Sequence, residues 1–90
     1  MKVKVEVRLK PGHFDPEGDI TAKSLRDLGF RVKGVEVGKV YTVDLEAKDA
    51  EEGVRLAKDM CRKLLANPTK DNFTAEVLPG EERTTKKGKR

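Results

Sequence analysis

Apolar and charged residues alternate without a break along the first segment of the chain. Within residues 2–10 (KVKVEVRLK), valine or leucine occupies every second position and a charged residue fills each position between them. A period of two is typical of a β-strand that buries one face. Pro11 and Gly12 follow directly and predict the end of this strand.

The next segment carries the signals of a short helix. Asp15 is a good N-cap, and Pro16 suits the first helical position because its missing N–H is not needed there. Gly29 is expected to end the helix, since glycine readily adopts the left-handed conformation of a C′ residue. The apolar positions that we expect on the buried side are Ile20, Leu25 and Leu28.

Residues 31–47 (RVKGVEVGKVYTVDLEA) predict two strands joined by a turn at Gly38-Lys39. Two registers are open. A two-residue turn would pair Val37 with Val40 and leave both faces of the hairpin apolar, so the second face would need a partner subunit. A three-residue loop shifts the pairing by one, and we favour it because it needs no partner. The residues that it would gather on a single core face are Val35, Val37, Tyr41, Val43 and Leu45.

Residues 49–67 show the strongest helical pattern of the chain. Asp49, three residues before Glu52, forms a capping-box signature, and Asn67-Pro68 predicts the end. Apolar residues recur at spacings of three and four, which marks one buried stripe. The stripe consists of Val54, Ala57, Cys61 and Leu64, widened by Ala50, Met60 and Leu65. A short alternating strand is predicted over residues 72–78.

The predicted order is strand, helix, strand, strand, helix, strand. This is the ferredoxin-like βαββαβ plan of the α+β class, an antiparallel sheet with two helices on one face. We assign residues 1–79 to one domain and residues 80–90 to a charged basic tail that we expect to be flexible.

The net charge of +4 belongs to the tail. Residues 83–90 contain five Lys or Arg and no acid, which leaves 15 basic and 16 acidic residues in positions 1–82. The body therefore has no excess of positive charge, and Tyr41 has no second exposed aromatic beside it on a predicted strand, so nucleic-acid binding is disfavoured. No apolar run approaches the ~20 residues of a membrane span. We expect a cytoplasmic protein without a membrane partner.

The sequence offers no catalytic constellation. Cys61 is the only cysteine and lies on the buried stripe, and His13 is the only histidine. Without a Cys/His cluster we expect no zinc site. Asp15, Glu17 and Asp19 could gather a divalent ion, but acids at a helix start are better explained by the helix dipole. An acylphosphatase-like site is also disfavoured, because the loop after the first strand carries acids and no arginine.

Three segments together resemble one family. The first is the helix that opens with DPEG at residues 15–18 and closes with LRDLG at residues 25–29. The others are VxxVEVGK at residues 32–39 and DMCRKLLANP at residues 59–68. In this combination they resemble PurS, the small subunit of phosphoribosylformylglycinamidine synthase, over residues 2–78. The resemblance implies a non-catalytic subunit that forms a homodimer or tetramer and bridges a glutaminase subunit to an ATP-dependent synthetase subunit, supporting ammonia transfer. It also implies that the complex uses ATP and magnesium while this chain binds no cofactor.

We expect such a subunit to work through surfaces. The candidate partner-interface residues are Asp15, Pro16, Glu17, Gly18, Gly38 and Lys39, and the candidate self-association residues are Val35 and Val37. No catalytic or metal residue is proposed. Two rival functions stay open, a metabolite-binding regulatory domain of the same topology and a weak nucleic-acid binder that uses the basic tail.

Overall fold

The alternating N-terminal segment forms the central strand of an antiparallel sheet. In the computed structural model of the chain, which describes residues 1–79, β1 (Lys2–Leu9) lies between β2 (Lys39–Asp44) and β3 (Asp71–Val77). Both neighbours run antiparallel to it. These strands and two helices confirm the α+β class. The predicted basic tail of residues 80–90 lies outside the described residues.

The second helix covers one face of this sheet. The helix α2 (Ala50–Met60) begins where the capping box predicts, and the Asp49 carboxylate accepts a hydrogen bond from the Glu52 N–H at 2.8 Å. It packs over β1 and β3 but makes little contact with β2. The buried core consists of Val3, Val5, Val7, Ala57, Cys61 and Ala66. Burial of these side chains between α2 and the sheet stabilises the packing of the helix on this face.

A π-helical turn, Cys61–Leu65, replaces the predicted last turns of this helix. The Ala66 N–H donates to the Cys61 carbonyl at 2.9 Å, five residues back. This turn holds more residues than the about 3.6 of an α-helix, so it shifts the apolar stripe by one position. The prediction for Leu64 is therefore wrong: its side chain is 83% exposed, and Leu65 packs against the core instead.

The first helix is correctly bounded but differently packed. The helix α1 (Pro16–Asp27) has Asp15 as its N-cap, and Gly29 follows with φ +99°, as predicted. However, α1 makes little contact with the sheet, so the prediction of two helices on one face does not hold within the single described chain. Ile20 and Leu28, which were expected to be buried, are exposed, while Gly18 and Ala22 are buried.

The predicted hairpin at Gly38-Lys39 is absent, and so is its first strand. Residues 30–38, which we call the arm, run into β2 without a turn or bend, and Gly38 does not adopt a positive φ. Both proposed registers are therefore wrong within one chain, and the described sheet has three strands where four were predicted. The five apolar residues that were expected on one face of the hairpin are nevertheless all on the same side, because alternate residues of a straight extended chain point to the same side. The half-buried residues are Val35, Val37, Tyr41, Val43 and Leu45, and those between them are exposed.

Within residues 1–79, none of the helices is long and apolar enough to cross a membrane.

The π-helical turn makes a direct prediction for two adjacent leucines. Leu65→Ala should lower the free energy of unfolding by about 2 kcal/mol, because it removes methyl groups that pack on the core. Leu64→Ala should change it by less than about 0.5 kcal/mol, since that side chain is exposed. Urea denaturation of the two variants gives the comparison. A continuous α-helix through residue 67 would reverse the order.

Candidate subunit interface

The carboxylate of Asp15 joins the two segments that the sequence singled out. One oxygen accepts a hydrogen bond from the Gly18 N–H at 2.9 Å, as expected for an N-cap. The other accepts from the Val37 N–H at 3.0 Å, 22 residues further along the chain. These two backbone donors, Val37 first, hold the pKa of Asp15 below its ordinary value of 3.8. The start of α1 is thereby fixed to the arm.

Two glycines make room for this connection. A Cβ at Gly18 would clash with the Val35 carbonyl oxygen and would lie 2.7 Å from an Asp15 carboxylate oxygen. A Cβ at Gly38 would lie 2.8 Å from the carbonyl oxygen of Val7 in β1. Both contacts involve backbone atoms that cannot easily move aside. From the sequence, these glycines were interpreted as turn or helix-start residues. In the structure they are required because a backbone carbonyl oxygen lies too close to leave room for a Cβ.

Arg26 forms a second connection that the sequence analysis missed. Its guanidinium donates to the Val32 carbonyl at 2.8 Å and to the Lys33 carbonyl at 3.0 Å. The forked donors of arginine suit two neighbouring carbonyls. One sequence signal could have predicted this contact. Arg26 lies in the last turn of a helix, three residues before a C′ glycine, where the chain turns back toward the helix. Asp15 and Arg26 thus join α1 to the arm, and we call the joined segment the α1 lobe (residues 14–38).

An open groove of about 460 Å³ lies where the α1 lobe meets the sheet. It brings together four of the six predicted interface residues, Asp15, Glu17, Gly38 and Lys39. Its apolar lining includes Val7 and Leu65, and its charged lining includes Lys70 and Asp71. Gly18 lies beside the Asp15 carboxylate, and Pro16 is exposed at the start of α1. The two sequence segments therefore form a single surface.

Large apolar side chains are exposed mainly on the α1 lobe. Phe14, Ile20, Leu28 and Phe30 are between 59% and 75% exposed. By contrast, the sheet face opposite α2 carries mostly charged and hydroxyl side chains, with Val40 as its large apolar residue. Clustered exposed apolar residues mark surfaces that associate with other chains. Most of the large apolar side chains that are exposed among the described residues therefore lie on the α1 lobe, which also contains Val35 and Val37.

Neither Cys61 nor His13 lines this groove. Cys61 is fully buried, and burial raises the pKa of its thiol, which disfavours the reactive thiolate. His13 is exposed in the loop before α1. In the described range 1–79, no three His, Cys, Asp or Glu side chains are placed to hold a metal ion. The groove and the apolar lobe are therefore the prominent surface features of the described residues, and exposed apolar surface of this kind is typical of proteins that bind other chains.

Comparison with known proteins identifies the family. The profile of PurS, described as phosphoribosylformylglycinamidine (FGAM) synthase, matches residues 2–79. The PurS subunit of Archaeoglobus fulgidus is 48% identical over 75 residues, which covers 82% of this chain and 94% of the relative. The PurS subunit of Bacillus subtilis is 38% identical over 77 residues, covering 84% and 90%. The chain belongs to the PurS family of FGAM synthase subunits.

Solved structures agree with this assignment. Methanocaldococcus jannaschii PurS is similar with a TM-score of 0.78 and 35% identity, covering 86% of this chain and 94% of that one. It is described as one of the subunits of formylglycinamide ribonucleotide amidotransferase in the purine biosynthetic pathway. A chain of the Thermotoga maritima PurLQS structure gives a TM-score of 0.79 at 28% identity, covering 86% and 95%. The family resemblance drawn from the three sequence segments is confirmed.

The Asp15 carboxylate gives a pH-dependent prediction. Because its folded pKa is lowered, it contributes stability above its unfolded pKa and loses this as pH falls through the lower folded pKa. Asp15→Asn should therefore lower the urea midpoint at pH 7, and the gap to the unchanged protein should narrow below about pH 4. Asp19→Asn, in the same helical turn, serves as the control. A gap that stays constant down to pH 2 would contradict the role of the Asp15 charge.

Proposed function

We propose that this chain is the non-catalytic subunit that holds the glutaminase and the ATP-dependent synthetase of FGAM synthase together. The observation that carries this proposal is its similarity to a chain of PurLQS, a structure that contains PurS together with PurL and PurQ. In this complex, ammonia released from glutamine on one subunit would be used on the other to amidate formylglycinamide ribonucleotide. The complex would use ATP and magnesium in the cytoplasm, while this chain binds neither.

The structure suggests how the six predicted interface residues divide this work. Asp15, Gly18 and Gly38 are occupied by contacts within the chain, so we assign them to positioning the α1 lobe. The remaining side chains, of Pro16, Glu17 and Lys39, are exposed. We assign those three to contact with the glutaminase or the synthetase, around the groove. Val35 and Val37 are assigned to self-association into a dimer or tetramer.

Reconstitution tests this function. Glutaminase and synthetase are mixed with and without the chain, and formation of the amidated ribonucleotide is followed with glutamine and then with excess ammonia. The glutamine-dependent rate should need this chain, because nitrogen must pass between two subunits that the chain holds together. The ammonia-dependent rate should change little.

Two lysine variants sharpen the test. Lys39→Ala should lower the glutamine-dependent rate and leave the ammonia-dependent rate unchanged, whereas Lys58→Ala, on the exposed face of α2, should affect neither. A glutamine-dependent rate that is unchanged without the chain would overturn the bridging function and direct attention to a metabolite-binding role. Binding of nucleic acid that disappears on deletion of residues 81–90 would support the remaining rival.

A further inference from the structure

All three segments that carry the family resemblance line one groove, the open space between the α1 lobe and the sheet. The segment at the helix start contributes Asp15 and Glu17, and the segment that leads into β2 contributes Gly38 and Lys39. The third segment contributes Leu65, which lies in the π-helical turn. Such turns often lie at functional sites. Residues that are distant in sequence therefore build one surface around a space of about 460 Å³.

The floor of this groove is apolar. Val7 and Leu9 belong to the helix side of β1, the central strand, and Leu65 lines the same space from the π-helical turn. Leu9 and Leu65 are only half-buried, so part of this apolar surface is open to solvent. An apolar side chain of another molecule would cover it, and burial of apolar surface favours association.

Two of the three acids that line the groove are already bonded within the chain. The Asp15 carboxylate accepts hydrogen bonds from the Gly18 and Val37 N–H groups. The Asp71 carboxylate accepts one from the Asn67 N–H at 2.8 Å. Backbone donors offset part of a carboxylate charge, and the start of α1 adds the positive end of a helix dipole at Asp15. These two acids therefore repel an incoming carboxylate less than their formal charge suggests.

The two lysines of the groove have no acidic partner. Within residues 1–79, neither Lys39 nor Lys70 forms a salt bridge, and both side chains are exposed. Lys4, by contrast, pairs with Glu76 of the same chain at 3.9 Å. Glu17, the remaining acid of the groove, lies in the first turn of α1, whereas both lysines belong to the sheet side. The unpaired charge on the sheet side is therefore positive and favours an acidic partner.

The backbone that carries each lysine is held in place. Lys70 belongs to a tight loop in which the Asn67 side-chain oxygen accepts hydrogen bonds from the N–H groups of Thr69 at 2.8 Å and Lys70 at 3.3 Å. The Asp71 N–H donates to the Asn67 carbonyl at 2.8 Å. Lys39 lies in β2, which pairs with β1. Binding to both lysines thus requires ordering of their side chains but not of the backbone, which favours affinity.

We propose that this groove binds an acidic segment of a partner subunit in an extended conformation. Two carboxylates of the segment contact Lys39 and Lys70, and an apolar side chain between them rests on Leu9 and Leu65. This inference rests on the proposed bridging function and names the chemistry of the partner. Because the groove is open, a small metabolite bound there would stay largely in water, whereas a chain that crosses the groove contacts both its lysines and its apolar floor.

The positions of the lysines set the spacing of the two acids. Lys39 lies in β2 and Lys70 directly precedes β3, on either side of β1. Two strand spacings separate them across the sheet, which is roughly 10 Å. An extended chain advances about 3.3 Å per residue, so acids about four residues apart span this distance. At that spacing, both acids and the residue midway between them share one side of the segment.

Charge reversal tests the role of the lysines. Glutaminase and synthetase are mixed, and binding of the labelled chain to the mixture is measured at low and at high salt. Lys70→Glu should weaken binding at least about tenfold at low salt, because an attraction becomes a repulsion. Lys70→Gln should weaken it less and should reduce its dependence on salt. Lys63→Glu, an equal charge change at an exposed position outside the groove, is the matched control and should bind within about twofold of the unchanged chain.

Carbodiimide crosslinking identifies the acid of the partner. This reagent activates carboxylates and joins them as amides to amines in direct contact, and the oxygen lost from the carboxylate leaves with the reagent as a urea. Mass spectrometry should find an amide between Lys39 or Lys70 and an Asp or Glu of the glutaminase or the synthetase. Lys4 and Glu76, which are 3.9 Å apart within the chain, provide an internal positive control. Lys63 should not be joined to either subunit.

Three results would overturn the proposal. Unchanged binding by Lys70→Glu and Lys70→Gln would place the partner elsewhere on the chain and leave the bridging function intact. Crosslinks from Lys39 and Lys70 solely to a second copy of this chain would assign the groove to self-association. Failure of the unchanged chain to bind the mixture would remove the bridging function together with this inference, so the two failures are distinguishable. Both lysines are exposed, so these variants should fold, and circular dichroism checks this.

Discussion

One carboxylate determines how α1 and the arm, residues 14–38, lie relative to each other. Asp15 begins α1 through Gly18 and holds the arm through Val37, so a single side chain fixes the helix, the arm and the approach to β2. Gly18 and Gly38 are required there, because the Cβ of any other residue would meet a backbone carbonyl oxygen. The exposed position of the α1 lobe, and with it the apolar surface offered to other subunits, depends on this local hydrogen bonding.

The sequence predicted well wherever neighbouring residues decide the structure. The alternating β1, the Asp15 and Asp49 caps and the Gly29 stop are all local patterns, and the structure confirms them. The predicted hairpin is absent because Gly38-Lys39 only resembles a turn in sequence. The Val37 N–H donates a hydrogen bond to the carboxylate of Asp15, which is distant in sequence, and this bond holds the chain straight. The prediction that Leu64 is buried was wrong because one π-helical turn shifts the apolar stripe, and no pattern of residues predicts such a turn.

At the candidate interface, too, the sequence predicted the local features but not the contacts between distant segments. The segments around Asp15 and Gly38 were chosen separately from sequence, and the structure brings them to one groove. Their individual roles could not be predicted, since a glycine needed for close approach looks like a glycine needed for a turn. Ile20 and Leu28 were expected on the buried side of the helix, but the sequence could not show that both side chains are exposed in the described chain. The family assignment needed none of these details, because three short segments carried it.

The central position of β1 has a consequence for how this protein folds during synthesis. The strand β1 is synthesised before both of its partners, and Val3 lies opposite Val77, so the described sheet cannot be completed until β3 has been made. Contacts this distant in sequence close slowly, and the waiting strand is rich in β-branched residues. Lys2, Lys4 and Lys10 flank or interrupt it with like charges. Charged residues beside an apolar strand are a common means of opposing association between chains that are not yet folded.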